Sequence, residues 1–185
     1  DKSVLSGEIS IGQSVTEAKN TGTYTINISN SNLSSPNYLI SYQNGTLTID
    51  PRPLTIIAQD QQMSYSGETF PLQNYTVTYE NFATGEGPGV LSGSHGFEGP
   101  AIEAVNAGSY AIEPVQGSLW ADNYVFLFQE GTLQITPLEL HVYALPNQSK
   151  HFGAGDPVLE YSHVPTELIA SNAFSGSLQR APGET

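Results

Sequence analysis

One stretch of sequence is written twice in this chain, 86 residues apart. Asn37-Tyr38-Leu-Ile-Ser-Tyr-Gln-Asn-Gly45-Thr-Leu-Thr-Ile49-Asp-Pro51 recurs as Asn123-Tyr124-Val-Phe-Leu-Phe-Gln-Glu-Gly131-Thr-Leu-Gln-Ile135-Thr-Pro137. Gly22-Thr-Tyr-Thr-Ile26 recurs as Gly108-Ser-Tyr-Ala-Ile112, and Val4-Leu-Ser-Gly7 as Val90-Leu-Ser-Gly93, at the same offset of 86. A constant offset over three motifs means duplicated modules with no net insertion between them. Arrays of this kind supply reach, spacing and repeated contact surface more often than one catalytic pocket.

A module of 86 residues has room for only a modest core. With no cysteine, neither disulfides nor thiol chemistry can reinforce it. Five Lys and Arg stand against 18 Asp and Glu, a formal net charge of −13, and no Lys or Arg lies between Arg52 and Lys150. A phosphate backbone or an anionic membrane surface would be repelled, so nucleic acid is excluded as a partner. The acids are scattered, as on a solvated surface, and form no calcium loop. No apolar run reaches the roughly 20 residues that span a bilayer, so no membrane insertion is expected in this segment. An export signal is expected outside residues 1–185.

Apolar and polar residues alternate through Gly45-Thr-Leu-Thr-Ile49, the two-residue period of a half-covered strand. Tyr38–Tyr42 precedes it, and Gln43-Asn44-Gly45 reads as a hairpin turn, with the same arrangement expected around Glu130-Gly131. Further strands are predicted at Thr23–Ile28, Leu54–Ala58, Tyr75–Tyr79, Ser109–Glu113 and Leu138–Tyr143. A short helix is predicted within Pro165–Phe174, and Asn81–Val90 reads as a loop or a single turn. The fold class is therefore mainly β: tandem small modules with at most one short helix each.

Ile49-Asp-Pro51-Arg-Pro53-Leu and Ile135-Thr-Pro137-Leu both read strand, proline, strand, a natural boundary between beads. On that phase residues 1–51 are the second half of a module, 52–137 a complete one and 138–185 the first half of another. The alternative phase, 4–89 and 90–175, splits each module at its proline linker. The preferred phase leaves complementary halves at the two ends, so head-to-tail self-association joins neighbouring modules of the same polypeptide as an expected partnership.

Pro53-Leu-Thr-Ile-Ile-Ala-Gln-Asp-Gln61, Tyr65-Ser66, Leu91–Gly93, Gly108–Ile112 and Asn123–Ile135, in this order and spacing, resemble the MBG-type repeats. These occur, with the related YDG repeats, in very large bacterial surface proteins, and the likeness covers essentially the whole chain. The aromatic-Gly step departs from the pattern as Tyr65-Ser66-Gly67, and Leu145-Pro146-Asn147 is gained before Gln148; both bear on loop geometry. The resemblance implies compact β-grasp-like or sandwich-like units, an extracellular location on the bacterial surface or as a secreted protein, and a stalk role in an adhesin or filamentous protein. It carries no catalytic residues.

The residues themselves nominate no enzyme and no cofactor. There is no Gly-x-Ser-x-Gly, P-loop, His-Glu-x-x-His or twelve-residue calcium loop. Ser94-His95 are mere neighbours, and His141, His151 and His163 fit no compact ligand set. The Tyr stripe at 24, 38, 42, 110 and 124 recurs with the repeat and reads as core. The candidate ligand site is Trp120 with Asp122 and Asn123, an aromatic platform beside carboxylate and amide groups of the kind that holds a sugar ring. Three readings follow: stalk modules, glycan- or mucin-binding modules acting through multivalency on a host partner, or an accessory module of an enzyme. A buried Trp120 favours the first, an open one the second.

Overall fold

The computed structural model describes residues 6–28, 31–166 and 176–179. Eleven strands lie among them: β1 (Gly22–Ile26), β2 (Gly45–Ile49), β3 (Arg52–Ala58), β4 (Gln61–Ser64), β5 (Val77–Glu80), β6 (Gly96–Glu98), β7 (Gly108–Val115), β8 (Tyr124–Gln129), β9 (Gly131–Thr136), β10 (His141–Ala144) and β11 (Tyr161–Val164). The helical parts among the described residues are one α-turn, α1 (Gln13–Thr16), and 3-10 turns at Leu72–Asn74 and Pro88–Val90. The fold is mainly β, as the alternation and the β-branched and aromatic content dictate. Most of the predicted helix, residues 167–174, lies outside the described residues.

The chain divides into two compact units. The first comprises Asp1–Ile57, Val77–Gly96 and Pro114–Gln129. It contains the antiparallel pair β1-β2 and a three-stranded sheet ordered β5-β3-β8. The second comprises Ala58–Thr76, Phe97–Glu113 and Glu130–Thr185, with a four-stranded sheet ordered β4-β9-β7-β6 and the antiparallel pair β10-β11.

The repeat is written into strand register. Gly22 faces Ile49, Tyr24 faces Leu47 and Ile26 faces Gly45; 86 residues on, Gly108 faces Ile135, Tyr110 faces Leu133 and Ile112 faces Gly131. Isolated bridges repeat too, Ser6 with Ser34 and Ser92 with Trp120. The Tyr24 hydroxyl donates to the Asn20 carbonyl at 2.9 Å, and the Tyr110 hydroxyl donates to that of Asn106 at 2.9 Å. Gly7 and Gly93 both take positive φ, and a Cβ on Gly93 would lie 2.0 Å from the Ser118 carbonyl oxygen. Only glycine fits such a corner.

The hairpin expectation is corrected. β8 and β9 do not pair: β8 runs parallel to β3, while β9 runs parallel to β4 and antiparallel to β7. In the first copy, Tyr38–Tyr42 forms no strand, and β2 pairs with β1. Neither Asn44, Gly45, Glu130 nor Gly131 has positive φ, so the two-residue turn expected from Asn-Gly is not made. Gly131 serves a close approach instead, since a Cβ there would sit 2.6 Å from the Ala58 carbonyl oxygen. The chain changes sheets at Glu130, and the lost side chain lets two backbones touch.

Proline at the boundary also acts differently from expectation. Pro51 separates β2 from β3, but Pro53 sits inside β3, opposite Val125. The Arg52 N–H donates to the Asn123 carbonyl at 2.9 Å. Alternate residues of a strand face opposite neighbours, so the N–H that Pro53 lacks is not one that β8 needs.

In the second unit Ile112, Leu133 and Ile135 are fully buried with Ala58, Tyr75, Ala101 and Ala104. Phe70 and Phe97 flank Tyr75 at ring-centroid distances of 5.0 and 5.4 Å. The Tyr75 hydroxyl donates to the Ala101 carbonyl at 2.9 Å, and burial pushes its phenol up from the ordinary value. In the first unit Leu54, Ile56, Leu119 and Tyr124 are buried. Of the Tyr stripe, Tyr124 is buried and Tyr24 and Tyr110 half-buried; Tyr38 and Tyr42 are exposed, contrary to the core reading.

Candidate functional site

The repeated Asn-Tyr motif builds a polar joint within the first unit. Asp122 and Asn123 form the turn that opens β8, and the Asn123 carbonyl starts the β3-β8 ladder. Its side chain is thereby aimed at Asn20-Thr21, just before β1. Asn123 Oδ1 accepts from the Thr21 N–H at 2.9 Å, and Nδ2 donates to Asn20 Oδ1 at 3.1 Å. The Thr21 hydroxyl donates to the Asp122 carbonyl at 2.9 Å. Three hydrogen bonds thus fasten the β1 end of the chain to the start of β8, some hundred residues on.

Tyr124, the next residue, fixes the other side of this joint. Its hydroxyl accepts from the Ala83 N–H at 2.9 Å and donates to the Glu86 carboxylate. Burial first, then the bonded Glu86 carboxylate, push its phenol above the ordinary value, so it stays a donor. The Phe82 ring meets Tyr124 edge-on at 5.7 Å, and Arg52 Nε donates to the Asn81 carbonyl at 2.7 Å. Asn81 takes a φ of 78°, a left-handed geometry that Asn tolerates better than most residues.

An open cleft of about 150 Å³ lies here, lined among others by Lys19, Thr21, Asp50, Arg52, Glu86 and Tyr124. It is smaller than the roughly 300 Å³ at which small-molecule pockets begin. Two bases face two acids, so its charge selects neither anion nor cation.

Trp120 is 54% exposed. Its backbone is held by the bridge to Ser92, with N–H to O distances of 2.9 and 3.0 Å, while the indole faces outward. Asp122 is exposed and close in sequence, but Asn123 has both amide atoms engaged by Asn20 and Thr21. The counterpart of Trp120 at the repeat offset is Ser34, which makes the same bridge to Ser6. The backbone arrangement recurs and the aromatic ring does not.

The remaining candidates are scattered. The His95 Nδ1 and the Tyr79 hydroxyl are 3.3 Å apart, and burial lowers the His95 pKa below its ordinary value. The Ser94 N–H donates to Ser118 Oγ at 3.1 Å. His141 lies 3.4 Å from Glu139, and His163 faces Val142 across β10-β11. Among the described residues no three His, Cys, Asp or Glu come together as a metal set, and no helix is long and apolar enough to cross a membrane. Asn20, Thr21, Arg52 and Glu86 were not nominated by sequence. The recurrence of Asn20 as Asn106 and of Asn37 as Asn123 was the available signal.

No curated protein and no solved structure matches the chain. The family model of the MBG domain (YGX type) matches residues 2–48 and again residues 54–134. Two successive matches agree with the strand register that repeats at 86 residues, and the chain belongs to the MBG domain family.

Proposed function

We propose that this chain is a run of tandem, non-catalytic spacer modules in a secreted bacterial cell-surface protein, an adhesin or a filamentous protein. The observation that carries the reading is the Asn123 joint. A side chain belonging to the repeat itself is used to fasten the preceding copy to the next, at Asn20-Thr21. Pro51 stiffens the connection between β2 and β3. The charge of −13 keeps neighbouring stalks apart and hydrated. A spacer needs these three properties and no pocket.

The joint is tested by Asn123→Ala. Two side-chain bonds are lost and the Thr21 N–H is left without its acceptor, at about 1–2 kcal/mol. Hydrogen exchange at the Thr21 amide is expected to quicken about tenfold, while amides of β7 and β9 keep their protection. Unchanged Thr21 protection would remove the joint from the account. Surface exposure is tested separately, by protease treatment of intact producing cells: peptides from 52–137 are expected in the supernatant, and their release only after lysis would refute a surface location.

The open Trp120 favours a second reading, a glycan-binding module. Against it stand Ser34 at the equivalent position, which denies the repeat multivalent binding, and the engaged Asn123 amide. Binding of wild-type protein to immobilised mucin glycans, lost in Trp120→Ala, would replace the spacer reading; the spacer reading expects neither protein to be retained.

A further inference from the structure

We infer that the parallel pairing of β3 with β8 is a mechanical clamp, which holds residues 52–137 closed when the chain is pulled along its length. As a function the clamp rests on the spacer reading; its dependence on the direction of pull belongs to the fold alone.

Two ladders share one register. β3 faces β8 from Arg52 opposite Tyr124 to Ile57 opposite Gln129, and β4 faces β9 from Gln61 opposite Leu133 to Ser64 opposite Thr136. Both ladders are parallel, and in both the facing residues are 72 apart, 52 from 124 and 61 from 133. Each early strand of the copy is thus matched to a late one, with no residue gained or lost between the ladders. The Arg52 N–H bond to the Asn123 carbonyl opens the first ladder, and the Tyr65 N–H bond to the Thr136 carbonyl at 2.8 Å closes the second.

Direction decides what such a ladder resists. Tension reaches β3 through Pro51, at its N-terminal end, and leaves β8 through Glu130, at its C-terminal end. In a parallel pair those are opposite ends of the ladder. The strands are drawn past each other, and all six facing pairs from Arg52 to Ile57 are strained together. In an antiparallel pair the same two ends would be neighbours, and the bonds would open one after another. The hairpin suggested by the repeated motif would have been of that second kind.

Burial and connectivity add to the clamp. Leu54 and Ile56 are fully buried on one side of β3, and β3 is the middle strand of its sheet. Water cannot reach that face to replace a bond as it stretches. While β3 and β8 hold, tension crosses between them and continues through β9 as covalent chain, so residues 59–123 are bypassed. If β3 slips, β4 and β9 meet the tension in the same parallel geometry.

The test pulls single molecules of the 185-residue chain through engineered cysteine handles; the chain has no cysteine of its own. Asp50→Cys with Glu130→Cys draws on opposite ends of the β3-β8 ladder, and Asp50→Cys with Asp122→Cys draws on the same end. All three acids are exposed, so both proteins are expected to keep the circular dichroism of the parent. Rupture force is expected to be higher in the first protein by about twofold or more, since forced unfolding reads the barrier along the direction pulled. Leu127→Pro, added to the first protein, removes an N–H that faces β3 by alternation from Arg52, while the leucine side chain is exposed. Its rupture force is expected to fall toward that of the second protein. Should that variant fail to fold, the comparison of the two handle pairs decides alone. Equal forces in the two directions would overturn the clamp and leave the spacer reading standing. So would a folded Leu127→Pro variant with undiminished force. A surface location refuted on cells would instead remove the use of the clamp and leave its direction dependence.

Discussion

Gly131→Val is expected to destabilise the second unit by about 3 kcal/mol or more, while Gly45→Val, at the same place in the repeat, shifts the unfolding midpoint of dilute protein little. A Cβ on Gly131 would stand 2.6 Å from the Ala58 carbonyl oxygen and 3.0 Å from its carbon. The neighbour is backbone in a closed corner, with the Thr132 N–H bonded to Asp60 Oδ1 at 2.8 Å and the Gln59 N–H to the Thr76 carbonyl at 2.9 Å. Nothing there can yield as a side chain would. Overpacking a core costs typically 1–3 kcal/mol, and an immobile backbone puts this site at or above the top of that range. Against a total stability of about 5–15 kcal/mol the loss is large. At Gly45 the nearest atom is a flexible side chain at ordinary contact distance, and valine suits a strand. Urea unfolding of both variants checks the contrast. Equal losses would show that backbone conformation, and not the approach of Ala58, demands the glycine.

That comparison also shows what the sequence could and could not tell. The 86-residue period, the strands around β1, β2, β3, β7 and β9, and the mainly β class were legible, because repetition and a two-residue period act locally. Sheet membership was not. A strand pattern states which face is apolar but not which strand lies beside it, so Tyr124–Phe128 and Gly131–Ile135 read as one hairpin when each pairs elsewhere. Glycine deepened the error, since a turn and a close backbone approach ask for the same residue. β4 was missed because Gln61-Gln-Met-Ser64 shows one apolar side chain, and its ladder depends on β9. At the candidate site, Trp120, Asp122 and Asn123 were singled out for a sugar. Asn123 instead bonds backbone and amide groups a hundred residues away, a partnership that no local pattern encodes.

Leu133→Ala carries the other large effect. Leu133 is fully buried on β9, facing Tyr110 across the ladder to β7, within the cluster of Ile112, Ile135, Tyr75 and Ala101. Truncation removes three buried carbons and leaves a cavity in a small core, costing about 2–5 kcal/mol. Leu47 has the same neighbour in register, Tyr24, yet remains partly exposed, so Leu47→Ala is expected to cost less than about 1 kcal/mol in dilute protein. Residue type and local pairing are identical in the two copies. The difference isolates what covers the outer side of the strand, which for β9 is a closed core and for β2 is open to solvent. Urea midpoints at low concentration measure that difference directly.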